Sequence, residues 1–304
     1  MKPLEILIEI DPLQVTVTAC GADGETMVLP NIGPGVLEAS GQLCALLEPP
    51  GGDERVLQAA IRDLSRVLLQ PLAAAIHAAR EVVVSIPKGA LDIPLDLLTH
   101  ERQPLFLAKP VSYRIGPTSE LPEPALVGPS AYTLSDITSD PDRGCLSVAR
   151  GFGRVTFQDE QDSSPELVRQ LQARDVVVFS LHGVVGSDAG DSMFTTAGPI
   201  RPEDLSSLRP RLIYLDSCRL GVSRAFLEHL RRTGTRYYLA PIIKNEAGES
   251  STQTMQLFFQ HLLSGQTPEQ ALFLTRQALW RLYASDDLRQ RLWRTFPFRV
   301  YRLH

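Results

Sequence analysis

The chain has 304 residues, a formal net charge of −5 at pH 7 and a hydrophobic fraction of 43%. A chain of this length and apolar content is long enough to bury a large core, in one large or two small domains. Its Lys and Arg residues are scattered and are outnumbered by acidic residues. This distribution argues against direct binding of nucleic acid, which depends on clustered positive charge.

Two further observations bear on location. No apolar run approaches the roughly 20 residues that span a bilayer. The N-terminal residues also reach Asp11 too early for the apolar core of a secretory signal. We therefore expect a cytoplasmic protein that does not bind a membrane.

The start of the chain predicts a small β-meander. Residues 4–18 alternate apolar and polar side chains, with a break at Asp11-Pro12. Gly21-Ala22-Asp23-Gly24 then marks a turn before the apolar residues 27–29.

The domain organisation follows from this pattern. We expect residues 1–50 to form an N-terminal extension and residues 51–304 to form one larger domain. Within that domain, residues 51–140 are the first portion and residues 141–304 the second.

The first portion shows one helix and one strand. Segment 48–53 is rich in turn residues and predicts a linker or a helix N-cap, and apolar residues then recur at helical spacing over residues 56–68. Residues 81–86 form a short β-branched run closed by Pro87, which predicts a strand. Residues 104–129 are rich in proline and predict irregular structure.

From about residue 140 onward, short apolar runs alternate with amphipathic helices. The runs cover residues 146–149, 176–181, 212–215 and 237–239. Ser164-Pro165-Glu166 caps the first intervening helix, and the chain closes with helices over 247–264 and 267–283 and a strand over 296–301. Strands that are apolar on both faces indicate a mostly parallel sheet covered by helices on each side, so the predicted fold class is α/β.

The spacing of the cysteines argues against two kinds of structural site. The chain has four, Cys20, Cys44, Cys145 and Cys218, which lie far apart and form no CxxC pair. This spacing favours neither a zinc site nor a disulfide framework, and we expect no metal and no cofactor.

Two segments share a layout that points to chemistry. Residues 176–181 run directly into His182, and residues 212–215 run into Asp216-Ser217-Cys218. Ligands bind at the carboxyl ends of strands in open parallel sheets, so neighbouring strands would bring the imidazole and the thiol to one cleft. An imidazole within reach of a thiol can remove its proton and later protonate a leaving amine.

Glycines accompany both segments. Gly183 and Gly221 allow the backbone to approach a substrate closely. The backbone amides of Gly183 and Cys218 are candidates for binding the oxyanion of a tetrahedral intermediate.

The motifs around His182 and Cys218 resemble those of a known family. Leu181-His182-Gly183 and Leu215-Asp216-Ser217-Cys218-Arg219-Leu220-Gly221 are similar to the His-Gly and Ser-Ala-Cys-x-x-Gly boxes of CHAT domains, which are relatives of caspases, metacaspases and separase. Further stretches that look like family landmarks, in the same order, are 68–72, 86–94, 204–208 and 265–278. The resemblance covers roughly residues 55–304 and leaves only the meander unaccounted for.

The resemblance implies a caspase-like three-layer α/β sandwich in which residues 141–304 are the catalytic portion. It implies endopeptidase activity through His182 and Cys218, directed at a specific partner protein and released by an activating protein or signal. A role in bacterial defence is a further extrapolation from the family.

One residue departs from many CHAT boxes. Asp216 stands two residues before the cysteine, as in the Asp-Ser-Cys box of metacaspases. A carboxylate there would form a charge-assisted pair with Arg or Lys at the P1 position of a substrate. We therefore expect cleavage after a basic residue.

Two sets of alternatives remain open. The chain could be a catalytically silent CHAT-fold scaffold for protein binding, although the intact His-Cys pair argues against this. The other polar candidates are interpreted as structural or solvated, except that one acidic residue after His182 could help to line a basic pocket. These residues are Cys20, Cys44, Cys145, His77, His229 and His261, and the acidic ones are Asp188, Asp191 and Glu203.

Overall fold

The computed structural model describes residues 3–10, 15–20, 26–33, 35–49, 51–87, 89–115, 130–159, 164–186 and 190–303. Several predicted features lie outside these ranges. They are the break at Asp11-Pro12, the turn at residues 21–24, Lys88 in the stretch 86–94, residues 116–129 of the proline-rich segment, and Asp188.

The strands are β1 (Leu4–Ile10), β2 (Val15–Cys20), β3 (Thr26–Ile32), β4 (Val82–Ile86), β5 (Thr99–His100), β6 (Gln103–Pro104), β7 (Val111–Ile115), β8 (Ser130–Ser135), β9 (Arg154–Asp159), β10 (Val176–Ser180), β11 (His182–Val184), β12 (Ser192–Thr195), β13 (Gly198–Ile200), β14 (Leu212–Asp216), β15 (Tyr237–Pro241) and β16 (Phe298–Arg302). The helices are α1 (Gly35–Leu47), α2 (Glu54–Leu68), α3 (Ala73–Ala78), α4 (Leu105–Ala108), α5 (Gly144–Ala149), α6 (Pro165–Gln170), α7 (Arg224–Arg232), α8 (Glu249–Leu263), α9 (Pro268–Leu282) and α10 (Leu288–Thr295).

The chain divides into two compact units. The first unit contains Met1–Pro117 and Arg276–Phe296, and the second contains Thr118–Thr275 and Pro297–His304. This division differs from the predicted boundaries at residues 50 and 140. The strands of the predicted extension belong with β4, because β1 pairs with it in parallel over four residues, from Leu4 to Leu7.

In the first unit, neighbouring strands follow the order β3-β2-β1-β4-β7. The predicted meander is confirmed, since β1, β2 and β3 pair antiparallel, and β4 and β7 continue the sheet in parallel. In β1, Ile6 and Ile8 are buried while Leu7 is exposed, as the alternating sequence requires. The predicted helix is also present as α2, and the Asp53 side chain caps it by accepting from the Arg55 backbone N–H.

In the second unit, the sheet order is β16-β15-β14-β10-β8-β9. All pairs are parallel except β15 with β16. One face packs on α5 and α8 through buried side chains that include Val176, Val178, Tyr214, Met255 and Phe258. The residues between them point to the other face and are buried as well, for example Phe179. The α/β class, with a mostly parallel sheet covered by helices, is therefore confirmed.

The prediction of a strand over residues 146–149 was wrong. Residues 146–149 belong to α5 and not to a strand, because the Asp140 side chain accepts from the backbone N–H groups of Gly144 and Cys145 and starts a helix there. A short apolar run cannot distinguish strand from helix by itself. The strand that precedes α5 and pairs with β10 is β8, which was not predicted.

The segment predicted to be irregular also holds regular structure. It contains α4 and β7 before the described part ends at residue 115. Helices α1 and α10 were not predicted either. Within the described ranges, no helix combines the length and the apolar character needed to cross a membrane.

Candidate active site

Three neighbouring parallel strands of the second unit end at one edge of its sheet. Ser180, the last residue of β10, pairs with Ser135 of β8 on one side and with Asp216 of β14 on the other. His182 lies two residues after Ser180, and Cys218 lies two residues after Asp216. The two strands are neighbours, which was the condition for bringing the imidazole and the thiol to one cleft.

His182 and Cys218 line the same cavity. The cavity has a volume of about 30 Å³ and is lined by Ser139, Leu181, His182, Asp216, Cys218, Asn245 and Ala247. The His182 side chain is 59% exposed, whereas Cys218 is half-buried.

The backbone at His182 is itself part of a short strand. His182 begins β11, which pairs antiparallel with β12 in a small sheet with β13. A Cβ atom at Gly183 would lie 2.9 Å from the carbonyl oxygen and 3.1 Å from the nitrogen of Cys218. Glycine at this position is what allows the His182 strand to approach the cysteine backbone so closely.

Gly221 has a different role from the one expected. A Cβ atom there would lie 2.7 Å from the carbonyl oxygen of Ala240 and 2.8 Å from that of Pro241. Glycine is therefore needed for packing against the end of β15, and the Gly221 carbonyl accepts from the Tyr301 hydroxyl.

The imidazole of His182 belongs to a short chain of hydrogen bonds. Thr138 Oγ1 lies 2.7 Å from His182 Nε2 and donates its proton to Asp136 Oδ2 at 2.5 Å. A hydroxyl has one proton, so Thr138 must accept from Nε2, which assigns the proton of the neutral imidazole to Nε2. The lone pair of Nδ1 is then the basic site of the ring. Asp136 Oδ2 itself lies 3.6 Å from Nε2.

Sequence reasoning missed Asp136 and Thr138. Both follow β8, a strand that was not predicted either. Residues 130–135 lead into a polar side chain, Asp136, just as the other two strands lead into polar residues. The repeated signal of an apolar strand followed by a polar residue was thus present three times. The Asp136 backbone N–H donates to Ser180 O, which holds the end of β8 against β10.

Asp216 lies beside the thiol but is nearly sealed from solvent. Its side chain is 5% exposed, and its oxygens accept from Asn245 Nδ2 at 2.6 Å, Ser251 Oγ at 2.5 Å and Ser180 Oγ at 2.9 Å. Burial raises the pKa of this carboxyl from 3.8 to about 6, although the hydrogen bonds from Ser251 and Ser180 oppose the shift. Asp216 is thus a carboxylate at neutral pH that can be protonated under mildly acidic conditions.

No protein-family model matches the chain, and no curated protein matches it.

All four cysteines are free thiols with different surroundings. Cys145 is fully buried, and burial raises the pKa of its thiol well above the ordinary value. Cys44 is buried with its Sγ 3.6 Å from the Asp92 carbonyl oxygen, and Cys20 is exposed at the end of β2. Cys218 combines partial exposure with a histidine lining the same cavity.

The remaining acidic candidates lie away from this cavity. Asp191 accepts from the Gly186 backbone N–H at 2.9 Å and from the Ser223 hydroxyl at 2.6 Å, so it ties the turn after β11 to the start of α7. Glu203 belongs to the short 3₁₀ turn Pro202–Leu205. Neither is among the described residues that line the cavity of Cys218.

The histidines on α7 and α8 also have local partners or roles. His229 on α7 has its Nε2 3.0 Å from the Ser206 hydroxyl, and burial lowers its pKa. His261 is half-buried in the last turn of α8, where its carbonyl accepts from Ser264.

Proposed function

We propose that this protein is a caspase-like cysteine endopeptidase with Cys218 as nucleophile and His182 as general base and acid. The observation that supports it is that both residues follow neighbouring parallel strands and line one cavity. The close approach of Gly183 to the Cys218 backbone fits an oxyanion site formed by their two amides.

In the proposed reaction, Nδ1 of His182 is the base, because Nε2 carries a proton and donates it to Thr138. Nδ1 takes the thiol proton, the thiolate attacks the scissile carbonyl carbon, and a C–S bond forms. The C–N bond then breaks as the imidazolium gives its proton to the leaving amine. Water hydrolyses the thioester, which restores the thiol and releases the new carboxyl group. Thr138 and Asp136 act as positioning residues, because they keep the second ring nitrogen protonated and stabilise the imidazolium.

A basic P1 residue is the expected specificity. Asp216 supplies a carboxylate beside the nucleophile, and a guanidinium or ammonium group would replace the hydrogen bond from Asn245 with a charge-assisted one. A fluorogenic peptide library varied at P1 tests this directly. A preference for acidic or small P1 residues would contradict it, and so would an unchanged preference in Asp216→Asn.

The narrow cavity leads us to include an activating partner in the proposal. Asn245 and Ala247 line it together with His182 and Cys218, and movement of their segment would give a more open form with room for a basic side chain. A protein that binds the open form more tightly than the closed one would shift the equilibrium toward activity.

The decisive experiment is labelling with a peptidyl acyloxymethyl ketone carrying Arg at P1, in purified protein and in extract of the native host. We expect selective modification of Cys218 that is lost in Cys218→Ala and strongly slowed in His182→Ala. Cys20→Ala is the matched control, because it removes an exposed thiol outside the site.

Two results would count against the protease. Cleavage of a peptide or partner protein by Cys218→Ala would exclude the assigned nucleophile. Equal labelling of Cys20 and Cys218, in protein and extract alike, would favour the scaffold alternative, since an inert thiol reacts only according to its exposure.

A further inference from the structure

Three potential metal ligands meet in the first unit, outside the proposed active site. His77 lies on α3, and His100 and Glu101 lie at the tight turn between β5 and β6. His77 Nδ1 is 2.8 Å from Glu101 Oε1, and His100 Nε2 is 3.8 Å from the same oxygen. One nitrogen or oxygen atom from each residue lies within 4.8 Å of the other two.

These separations fit a small coordinated cation. Two ligand atoms about 2.0–2.1 Å from a tetrahedral zinc ion are roughly 3.3 Å apart. The observed separations of 2.8 and 3.8 Å lie on either side of this value. His77 and Glu101 are 75% and 60% exposed and can rotate to close around an ion, whereas His100 is 3% exposed and fixed in place.

The chemistry of the donor atoms also suits coordination. The three side chains offer two imidazole nitrogens and one carboxylate oxygen, which are common ligands of zinc. A single proton now joins His77 and Glu101, and a metal ion would replace it. The Lys109 ammonium does not occupy this position, because it donates to the carbonyl oxygens of His77 and Ala79.

The buried histidine supplies a second, independent observation. Its Nδ1 has no hydrogen-bond partner among the described residues, and its Nε2 lies 3.8 Å from Glu101 Oε1, which is longer than a hydrogen bond. A metal ion between Nε2 and this oxygen would replace the long contact with two coordination bonds. His100 and Glu101 also line an open cavity of about 440 Å³, so solvent has access to a remaining coordination position.

We propose that His77, His100 and Glu101 bind a divalent transition-metal ion, with Zn²⁺ as the expected occupant and a water molecule completing the coordination. Two imidazole ligands select zinc, cobalt, nickel or copper over magnesium and calcium, which prefer sets made of oxygen alone. This site is independent of the proposed protease chemistry, because it shares no residue with it.

The test is titration of the full chain with Zn²⁺ by calorimetry and with Co²⁺ by visible absorption. His182 and Cys218 are themselves potential zinc ligands, so the titration uses the double variant His182→Ala/Cys218→Ala. We expect one Zn²⁺ per chain, the intense visible absorption of four-coordinate Co²⁺, and a melting temperature that rises with Zn²⁺. Mg²⁺ should produce none of these changes.

Further substitutions in that double variant decide the assignment. His77→Ala and Glu101→Gln alter exposed side chains and should each weaken Zn²⁺ binding by about tenfold or more, a typical loss when a metal site is perturbed. His261→Ala removes a histidine from outside the cluster and should leave the affinity unchanged. Absence of Zn²⁺ binding, or equal affinity in all three variants, would overturn the proposal.

Discussion

At the scale of single residues, burial makes Asp216 harder to ionise in the native state than in the unfolded chain. The native state holds this carboxyl proton more tightly than the unfolded chain, because the folded pKa is about 6 and the ordinary value is 3.8. The contribution of Asp216 to stability therefore rises as the pH falls from about 6 toward 4, and above pH 6 the ionised buried group destabilises the fold. A residue with this cost in a cavity beside a thiol is typical of a position kept for function.

Asp216→Asn should therefore stabilise the protein at about pH 8, by on the order of 1–3 kcal/mol. The introduced amide can still accept from Ser180 and Ser251. Asn245 Oδ1 has no partner among the described residues, and after a flip of the Asn245 side-chain amide it can accept from the introduced NH₂ group. Urea unfolding at pH 8 and pH 5 measures the effect, which should shrink at pH 5. Asp159→Asn, at an exposed position, is the control. A gain that is equal at both pH values would contradict the buried-carboxylate explanation.

Thr138 offers a second test at the same scale. Thr138→Val keeps the shape of the side chain but removes the hydroxyl between His182 and Asp136, and we expect about 10- to 100-fold slower inactivation of Cys218 by the peptidyl ketone. Thr138→Ser keeps the hydroxyl and should retain most of the rate. The melting temperatures of the two variants should be similar. Equal rates in both would mean that the hydroxyl does not position the imidazole.

At the scale of elements, the site depends on strand ends held in register. The pairing of Ser180 with both Ser135 and Asp216 brings the residues after β8, β10 and β14 to one edge. The apolar runs of β10 and β14 could be predicted because each is a local pattern. Strand β8 was missed, and the run that became α5 was misassigned, because short apolar segments are ambiguous until their caps and neighbours are known.

Gly183→Ala tests the contact between β11 and the end of β14. The added methyl would lie 2.9 Å from Cys218 O and 3.0 Å from Ser217 Cβ, so the two segments must move apart. We expect a loss of about 1–3 kcal/mol in the free energy of unfolding and a marked loss of Cys218 labelling. Gly153→Ala, where nothing lies within 4 Å of the added atom, should change neither quantity. Normal labelling in Gly183→Ala would show that the close approach is not needed.

At the scale of the whole molecule, residues distant in sequence define the compact units. In the first unit, Arg276 is buried and donates to Asp96, which lies 180 positions earlier in the chain, at 3.0 Å. It also donates to the Phe296 carbonyl at 2.8 Å. Asp96 also accepts from the Tyr113 hydroxyl at 2.7 Å. This network ties the segment that begins at Arg276 to the earlier part of the same unit.

Arg276→Ala should lower the free energy of unfolding by about 3–5 kcal/mol, because it leaves the buried Asp96 carboxylate without its charged partner. Arg281→Ala on the same helix changes an exposed side chain and should have an effect under about 0.5 kcal/mol. Urea titration of both variants gives the comparison. A loss at Arg276 as small as that at Arg281 would show that the network contributes little.

Features that depend on neighbours along the chain could be predicted from the sequence alone. These include the meander at the N-terminus, the Asp53 cap, the apolar strands before His182 and Cys218, and the α/β class. Tertiary structure decided which strand ends lie side by side, how His182 meets Thr138 and Asp136, why Asp216 is buried, and how His77 reaches His100 and Glu101. The physical reason is range: periodicity and caps act over a few residues, whereas strand order and burial are set by packing between segments far apart in the chain.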